Sequence, residues 1–347
     1  MDDPQLVHFY RQYMQQVQNL SFPPAKLLLE PDVQDQLYKH FFDGPLKGPA
    51  AYQRKVLKQL ISLIERVIDD PDEDAVSDQL MEHMGYLSTL PKDDPATEAS
   101  QTQIITYILP EPFEARNPPR ILIEEAPNLL AAGSNVGLRT WEASLYLTQY
   151  LHSNPNLVSG KSIIELGAGT GLLSILAAGR LNAAHVMSTD GLPHVVESME
   201  KNIHRNQRTV LQPSTNIEAK VLDWADDDPD VLEDTLSIRN GDLPNYNLIL
   251  GADITYSPDV VPVLARLLMV LMIDMFADNG IEALISATVR NEKTLSVFRD
   301  ACVERELDVT EVDFTCPSVK EQRGFFHEQA FPIVIMRIRA RTKDSKD

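Results

Sequence analysis

The sequence predicts an α/β protein, with a largely parallel sheet covered by helices on both faces and a smaller helical domain ahead of it. Two observations carry that class. From about residue 162 to residue 305, apolar runs of strand length alternate with segments of helical period, the pattern of parallel strands joined by crossover helices. Residues 1–90 instead repeat the helical period alone, and the junction "PKDDPATEASQTQ" (91–103) has turn formers and charge but no apolar period.

The 347 residues suffice for two domains, and a hydrophobic content of 43% supports a packed core rather than a disordered chain. Lys and Arg number 31 against 51 Asp and Glu, a net charge of −20. A surface so acidic repels phosphate backbones and anionic headgroups, which argues against nucleic acid and membrane as partners. Cys302 and Cys316 form no disulfide framework and are not spaced with histidines as metal ligands, so no metal site is expected. Met1–Gln16 carries acids and no apolar core, unlike a signal peptide. The greasiest stretch, "VVPVLARLLMVLMIDMF" (260–276), is interrupted by Arg266 and Asp274 and reads as a buried helix. These features suit a cytoplasmic protein, taken as a monomer.

In chain order, Leu6, Phe9, Tyr10, Tyr13, Val17 and Leu20 follow a helical period, as do Val56, Leu57, Leu60, Leu63, Ile64, Val67 and Ile68. Residues 74–90 predict a further helix, and 91–103 a linker. "IITYIL" and "RILIEEA" read as strands that open a second domain over 104–340, with a flexible tail at 341–347. A helix is expected over 138–151. Strands follow at 162–167, 185–190, 218–223, 247–253 and 281–287, with helices at 171–181, 192–206, 259–277 and 291–305. The last two strands, near 307–314 and 332–339, have no helix-length segment between them and suit antiparallel pairing. The acidic stretch 226–245 reads as a solvated loop.

The run "IIELGAGTGLLSILAAG" (163–179) is a strand, a glycine turn and a helix. A dinucleotide fingerprint would need a third glycine at Leu172; here Gly167, Gly169 and Gly171 give G-x-G-x-G instead. That spacing suits a cofactor with no phosphate to seat at the helix N-terminus, and S-adenosylmethionine is the obvious one. Ala168 is counted with the loop. Asp190 ends the next strand, where an acceptor-only carboxylate can take both ribose hydroxyls or cap the following helix. Glu165 at the strand end can shape the loop through backbone N–H groups. Asp223 and Trp224 close the third strand, the indole placed either against adenine or in the core, the carboxylate placed to hold an amine. Trp141 leaves the same two readings open.

The second informative run is "LILGADITYSPDVV". Its buried strand delivers Asp253 to the carboxyl edge of the sheet, where open α/β sheets bind ligands, and Tyr256 follows. A carboxylate and a phenol there suit methyl transfer to an amine. A lysine with pKa about 10.4 is protonated at neutral pH, and removing its proton there costs about 4 kcal/mol. Asp253 can accept from the ammonium and orient it, and positioning then supplies much of the rate. The alternative is a helix cap at Asp253 with Tyr256 in the core.

"ELGAGTG", "TD", "LDW" and "ADITY", with the upstream "GLRTWEASLYL" and the later "ATVRN", resemble in order and spacing the seven-β-strand protein-lysine methyltransferases that carry a D-x-x-Y signature. The helical segment "FDGPLKGPAAYQRKVLKQLISLIERV" is similar, more weakly, to the branch acting on elongation factor 2. The resemblance implies a Rossmann-like sheet in the order 3-2-1-4-5-7-6 and S-adenosylmethionine as donor. It also implies a protein substrate, elongation factor 2. Residues 1–90, a helical unit with no cofactor motif, are expected to recognise that substrate, since one lysine slot cannot tell proteins apart; the alternative is that they only cover a hydrophobic face. By position it assigns cofactor contact to Trp141, Gly167, Gly169, Asp190, Trp224 and Ala252, and lysine handling to Asp253 and Tyr256. Rival readings are a small-molecule or tRNA methyltransferase, another protein substrate such as a chaperone or a further translation factor, and a non-catalytic binding module. The charge argues against tRNA, and the presence of Asp190 and Asp253 argues against a module that has lost its chemistry.

Overall fold

Phe9, Tyr13, Phe41, Phe42 and Tyr52, dispersed along the N-terminal third of the sequence, meet in one buried cluster with Leu57, Leu60 and Ile64. The computed structural model describes residues 3–91, 101–110, 118–127, 137–226, 228–237 and 243–341. Two compact units emerge, one of residues 1–128 and 320–326, the other of 129–319 and 327–347.

The first unit holds helices Pro4–Met14, Ala25–Leu29, Pro31–Leu37, Ala50–Glu65 and Asp78–Thr89. The side chain of Asp3 accepts from the amides of Gln5 and Leu6, which fixes the first helix start. That helix ends sooner than its apolar period suggests, because Gln16 turns into the left-handed region (φ 56°). Arg54 donates from Nε and Nη2 to the Leu87 carbonyl (3.1 and 2.6 Å), closing the end of Asp78–Thr89.

Strands β1 (Gln103–Ile108) and β2 (Arg120–Glu125) pair antiparallel in a two-stranded sheet of their own. They belong with the helices, not with the second domain as expected from sequence. So does 320–326, where Arg11 donates to the Arg323 carbonyl (3.1 Å) and Gln15 accepts from the Phe326 amide (2.8 Å). Most of the expected linker, like 342–347 of the tail, lies outside the described residues.

The second unit contains β3 (Ser162–Leu166), β4 (His185–Asp190), β5 (Ile217–Val221), β6 (Tyr246–Ala252), β7 (Glu282–Thr288), β8 (Leu307–Glu311) and β9 (Ile333–Ala340). Their order is β5-β4-β3-β6-β7-β9-β8, which is the 3-2-1-4-5-7-6 arrangement. The pairs among β3 to β7 are parallel, while β9 runs antiparallel to both β7 and β8. Order reverses between β3 and β6, the place where such sheets open a crevice.

Helices Glu142–Ser153, Leu172–Gly179, Pro193–Asn206, Val261–Met269 and Glu292–Val303 stand where the periodicity put them. The long helix expected to reach 277 is α-helical only to Met269, then π-helical over Val270–Met275. The acidic stretch read as a solvated loop contains a helix, Pro229–Leu236, whose Leu232 and Leu236 are fully buried. Asp228 caps it by accepting from the Asp230 amide (3.0 Å). Two leucines spaced i, i+4 in a stretch with seven acids are too short a period to read.

No helix among the described residues is long and apolar enough to cross a membrane. No group of three His, Cys, Asp or Glu among them is placed to hold a metal ion.

Candidate active site

At the carboxyl ends of β3, β4, β5 and β6 the second unit opens a cavity of about 590 Å³. Every site residue expected from the sequence lines it: Trp141, Glu165, Gly167, Ala168, Gly169, Asp190, Asp223, Trp224, Ala252, Asp253 and Tyr256. The volume falls in the range of small-molecule sites.

The glycine turn follows β3 directly. Gly167, Gly169 and Gly171 all take left-handed backbone, with φ of 63°, 54° and 81°. Other L-residues pay a steric penalty there. A Cβ at Gly167 would lie 2.7 Å from Ile254 Cγ2, and one at Gly169 would lie 3.1 Å from the Gly137 carbonyl oxygen. The turn is therefore packed on both sides. The hydroxyls of Thr140 and Thr170 (2.8 Å apart) tie it to the segment ahead of Glu142–Ser153.

Asp190 secures the same turn. Its Oδ2 accepts from the Gly169 amide (3.1 Å) and its Oδ1 from the Leu192 amide (3.2 Å). Each oxygen retains acceptor capacity toward a ligand hydroxyl. The helix-cap alternative fails, since Pro193–Asn206 begins after Leu192. Burial pushes the Asp190 carboxyl up, while its backbone donors pull it the other way.

Glu165 is buried, and its partner is Ser174 of the next helix rather than the glycine turn itself. Burial raises this carboxyl to about 8, so it is largely protonated at neutral pH.

Trp224 lines the cavity and also packs against the main core cluster. Its Nε1 is buried with no hydrogen-bond acceptor among the described residues. Asp223 is exposed, and its Oδ1 accepts from the Ala225 amide (3.0 Å). Trp141, at the start of Glu142–Ser153, has the Arg139 guanidinium 4.7 Å and the Arg290 guanidinium 5.6 Å from its ring centre.

The Asp253 turn follows β6. The Asp253 amide makes one more ladder bond, to the Ser286 carbonyl (2.9 Å), and then the chain turns at φ 53°. In a continuing parallel strand the Thr288 amide would bond the Asp253 carbonyl. Here the side chain takes it: Oδ1 accepts from the Thr288 amide (2.8 Å) and Oδ2 from the Thr288 hydroxyl (2.9 Å). Burial raises the Asp253 carboxyl; the Thr288 bonds and the Arg290 charge oppose that, and Glu142 adds to it. The helix cap is excluded, because Val261–Met269 starts well beyond it, and Tyr256 is 59% exposed, so it is not a core residue.

The sequence reading assigned no role to Arg139, Thr140, Thr170, Thr288 or Arg290. All five lie inside quoted motifs, and the expected strand order sets β6 beside β7, yet a linear pattern does not say which side chains meet there.

An S-adenosylmethionine-sized ligand fits this cradle: a close-packed glycine turn, a buried carboxylate with spare acceptor sites and an indole face on one cavity. Residues 128–299 match the family model described as lysine methyltransferase. The chain is 37% identical to the protein-lysine N-methyltransferase EFM3 of Chaetomium thermophilum, over 97% of this chain and 98% of that protein. It is 24% identical to the human protein-lysine N-methyltransferase EEF2KMT, over 71% of this chain and 68% of that one. It is 34% identical to EEF1A lysine methyltransferase 3 of Xenopus tropicalis, over 40% of this chain and 55% of that one. The chain belongs to the lysine methyltransferase family. It is an S-adenosylmethionine-dependent protein-lysine N-methyltransferase.

Proposed function

We propose that Asp253 and Tyr256 orient a substrate lysine at the end of β6, and that the substrate is elongation factor 2. The observation that carries the site assignment is the convergence of all eleven expected residues on one cavity, with Asp253 fixed there by Thr288. Gly167, Ala168 and Gly169 would hold the amino-acid part of the donor, Asp190 its ribose, and Trp224 with Asp223 its base. Trp141, Glu165 and Ala252 complete the wall. The bound donor supplies the methyl group and its cationic sulfonium. Asp253 accepts from the lysine nitrogen through the lone pairs that Thr288 leaves free, while exposed Tyr256 stands at the mouth, where it can bound the aliphatic stem.

Choice of elongation factor 2 is supported by the similarity to EEF2KMT over 71% of the chain, whereas that to EEF1A lysine methyltransferase 3 spans 40%. The first unit then reads a protein surface away from the lysine slot, which a slot alone cannot do. The acidic chain favours a basic surface around the target and an enzyme acting as a monomer in the cytoplasm.

The test is intact mass of purified elongation factors 2 and 1A after incubation with enzyme and donor. Gain of 14 Da steps (about one methyl each, by the bond exchanged, N–H to N–CH3) on elongation factor 2 alone is expected. Methylation of elongation factor 1A alone would overturn the substrate choice. Deleting 1–90 is a poor test of the first unit, since it strips Arg323 and Phe326 of their partners Arg11 and Gln15. Hydrogen exchange on the enzyme–substrate complex is better, with protection expected in the first unit.

A further inference from the structure

Arg290, two residues past the Thr288 end of β7, takes no part in the roles assigned above. Its Nη2 lies 3.9 Å from Asp253 Oδ2, beyond hydrogen-bond length, and its guanidinium lies 5.6 Å from the Trp141 ring centre. The Asp253 side chain is 8% exposed and that of Arg290 is 44% exposed. The carboxylate is therefore fixed, and the cation beside it has room to yield.

Methyl transfer needs the lysine nitrogen to carry a free lone pair. A bare carboxylate works against that, because an opposite charge within about 4–6 Å favours the ammonium by roughly 1–3 pKa units. An ion pair with Asp253 alone would bind lysine well and hold it in the unreactive form. A guanidinium at the same carboxylate offsets the attraction.

Other charges around the slot do not serve. Arg139 is held by Glu142 (3.0 Å), at the start of Glu142–Ser153. Asp223, at the end of β5, and Asp259, after β6, line the cavity as further acids, and both are exposed. Tyr256 is exposed as well. Among the described residues that line the cavity, Arg290 remains as the cation that answers Asp253.

We propose that Arg290 is a positioning residue that neutralises Asp253 toward the incoming lysine, so that the carboxylate orients the amine without locking it as an ammonium. The proton leaves the lysine nitrogen for solvent through the open mouth, and the nitrogen lone pair then forms the new N–C bond as the donor's S–C bond breaks. This inference rests on the lysine-orienting role given to Asp253.

The experiment compares wild type, Arg290→Met, Arg290→Lys and Asp253→Asn on the protein that wild type methylates, elongation factor 2 being tried first. Single-turnover rates and KM are measured from pH 6 to 10, a span below the free lysine value of about 10.4. For Arg290→Met the rate should fall about tenfold near neutral pH with KM equal or lower. Its rise with pH should move up by about one unit, so the deficit narrows toward the alkaline end. Arg290→Lys should keep the wild-type profile. A loss that is uniform across pH, or an unshifted profile, would overturn the inference while leaving Asp253 in place. A normal rate in Asp253→Asn would overturn the Asp253 role and this inference together.

Discussion

The two turns that build the site solve one backbone problem in opposite ways. After β3 the chain enters left-handed space three times and uses glycine each time, at 167, 169 and 171. After β6 it enters the same space once and uses an aspartate, Asp253, at φ 53°. At the first turn neighbouring segments crowd so closely that a side chain has nowhere to go, as the 2.7 Å and 3.1 Å approaches at Gly167 and Gly169 show. At the second turn a side chain is needed. Asp tolerates left-handed backbone better than most residues because its short polar group can bond locally, and here it bonds Thr288 twice. One turn makes room and the other places a charge.

The largest effect should come from separating the charge of Asp253 from its backbone role. Asp253→Asn keeps a residue that accepts left-handed backbone and can still take the Thr288 amide. Asp253→Ala loses both properties, so its phenotype would mix strain with chemistry. For the Asn variant the methylation rate should fall by about 10²–10⁴, with donor affinity within a factor of about two by calorimetry. The fold should not suffer.

Burial raises the Asp253 carboxyl above its ordinary value. A carboxylic acid raised in the folded state favours folding where it is protonated and loses that advantage as pH climbs through its folded value. At neutral pH the ionised carboxylate therefore costs stability, and Asp253→Asn should melt at or above the wild-type temperature. The gap should close as pH falls through the folded value and be gone below about 3.9, the unfolded aspartate value. A clear drop in melting temperature at neutral pH would mean that the carboxylate is a structural brace.

These two turns were legible from sequence to different depths. The glycine turn was read almost completely, since strand, spacing and helix are consecutive and the cause is local. Asp253 and Tyr256 were picked out because they too follow a strand end, and both line the cavity. What holds Asp253 was not legible, because the expected strand order set β6 beside β7 without saying which β7 side chains would reach Asp253. The same limit explains the domain boundary. "IITYIL" and "RILIEEA" were correctly strands, yet their pairing with each other and their grouping with the helices depend on contacts such as those of Arg11 and Gln15 with 323–326. Local chemistry could be read along the chain, and partners distant in sequence could not.

A smaller effect is expected where the backbone conformation alone is challenged. Gly169→Ala forces an L-residue to φ 54° at a cost of about 1–2 kcal/mol, and its Cβ presses on the Gly137 carbonyl. The turn can relieve this only by shifting, which moves the Asp190 anchor at the Gly169 amide. Donor affinity should drop about tenfold, as 1.4 kcal/mol predicts. Gly160→Ala is the control: it has φ 75° and open space around its Cβ, away from the cavity. It should lose comparable stability with donor affinity unchanged. Equal loss of donor affinity in both variants would show global loosening rather than a packed cradle.

The smallest effect should come from Thr288, which separates the two bonds that hold Asp253. Thr288→Val keeps the backbone amide on Oδ1 and removes only the hydroxyl on Oδ2. A hydrogen bond to a charged group contributes about 1.5–3 kcal/mol when both partners are buried, but the freed oxygen faces a cavity that water can enter, so a loss nearer 1 kcal/mol, about fivefold in rate, is expected. Direction with pH is the sharper readout. The hydroxyl favours the ionised carboxyl, opposing the upward push of burial. Its removal raises Asp253 further, so the acid side of the rate profile should move to higher pH and the deficit should grow as pH falls. Thr288→Ser retains the hydroxyl and should restore the profile. If Thr288→Val lost the same factor at every pH, the hydroxyl would only shape the turn, and the second turn would resemble the first more than the charge on Asp253 suggests.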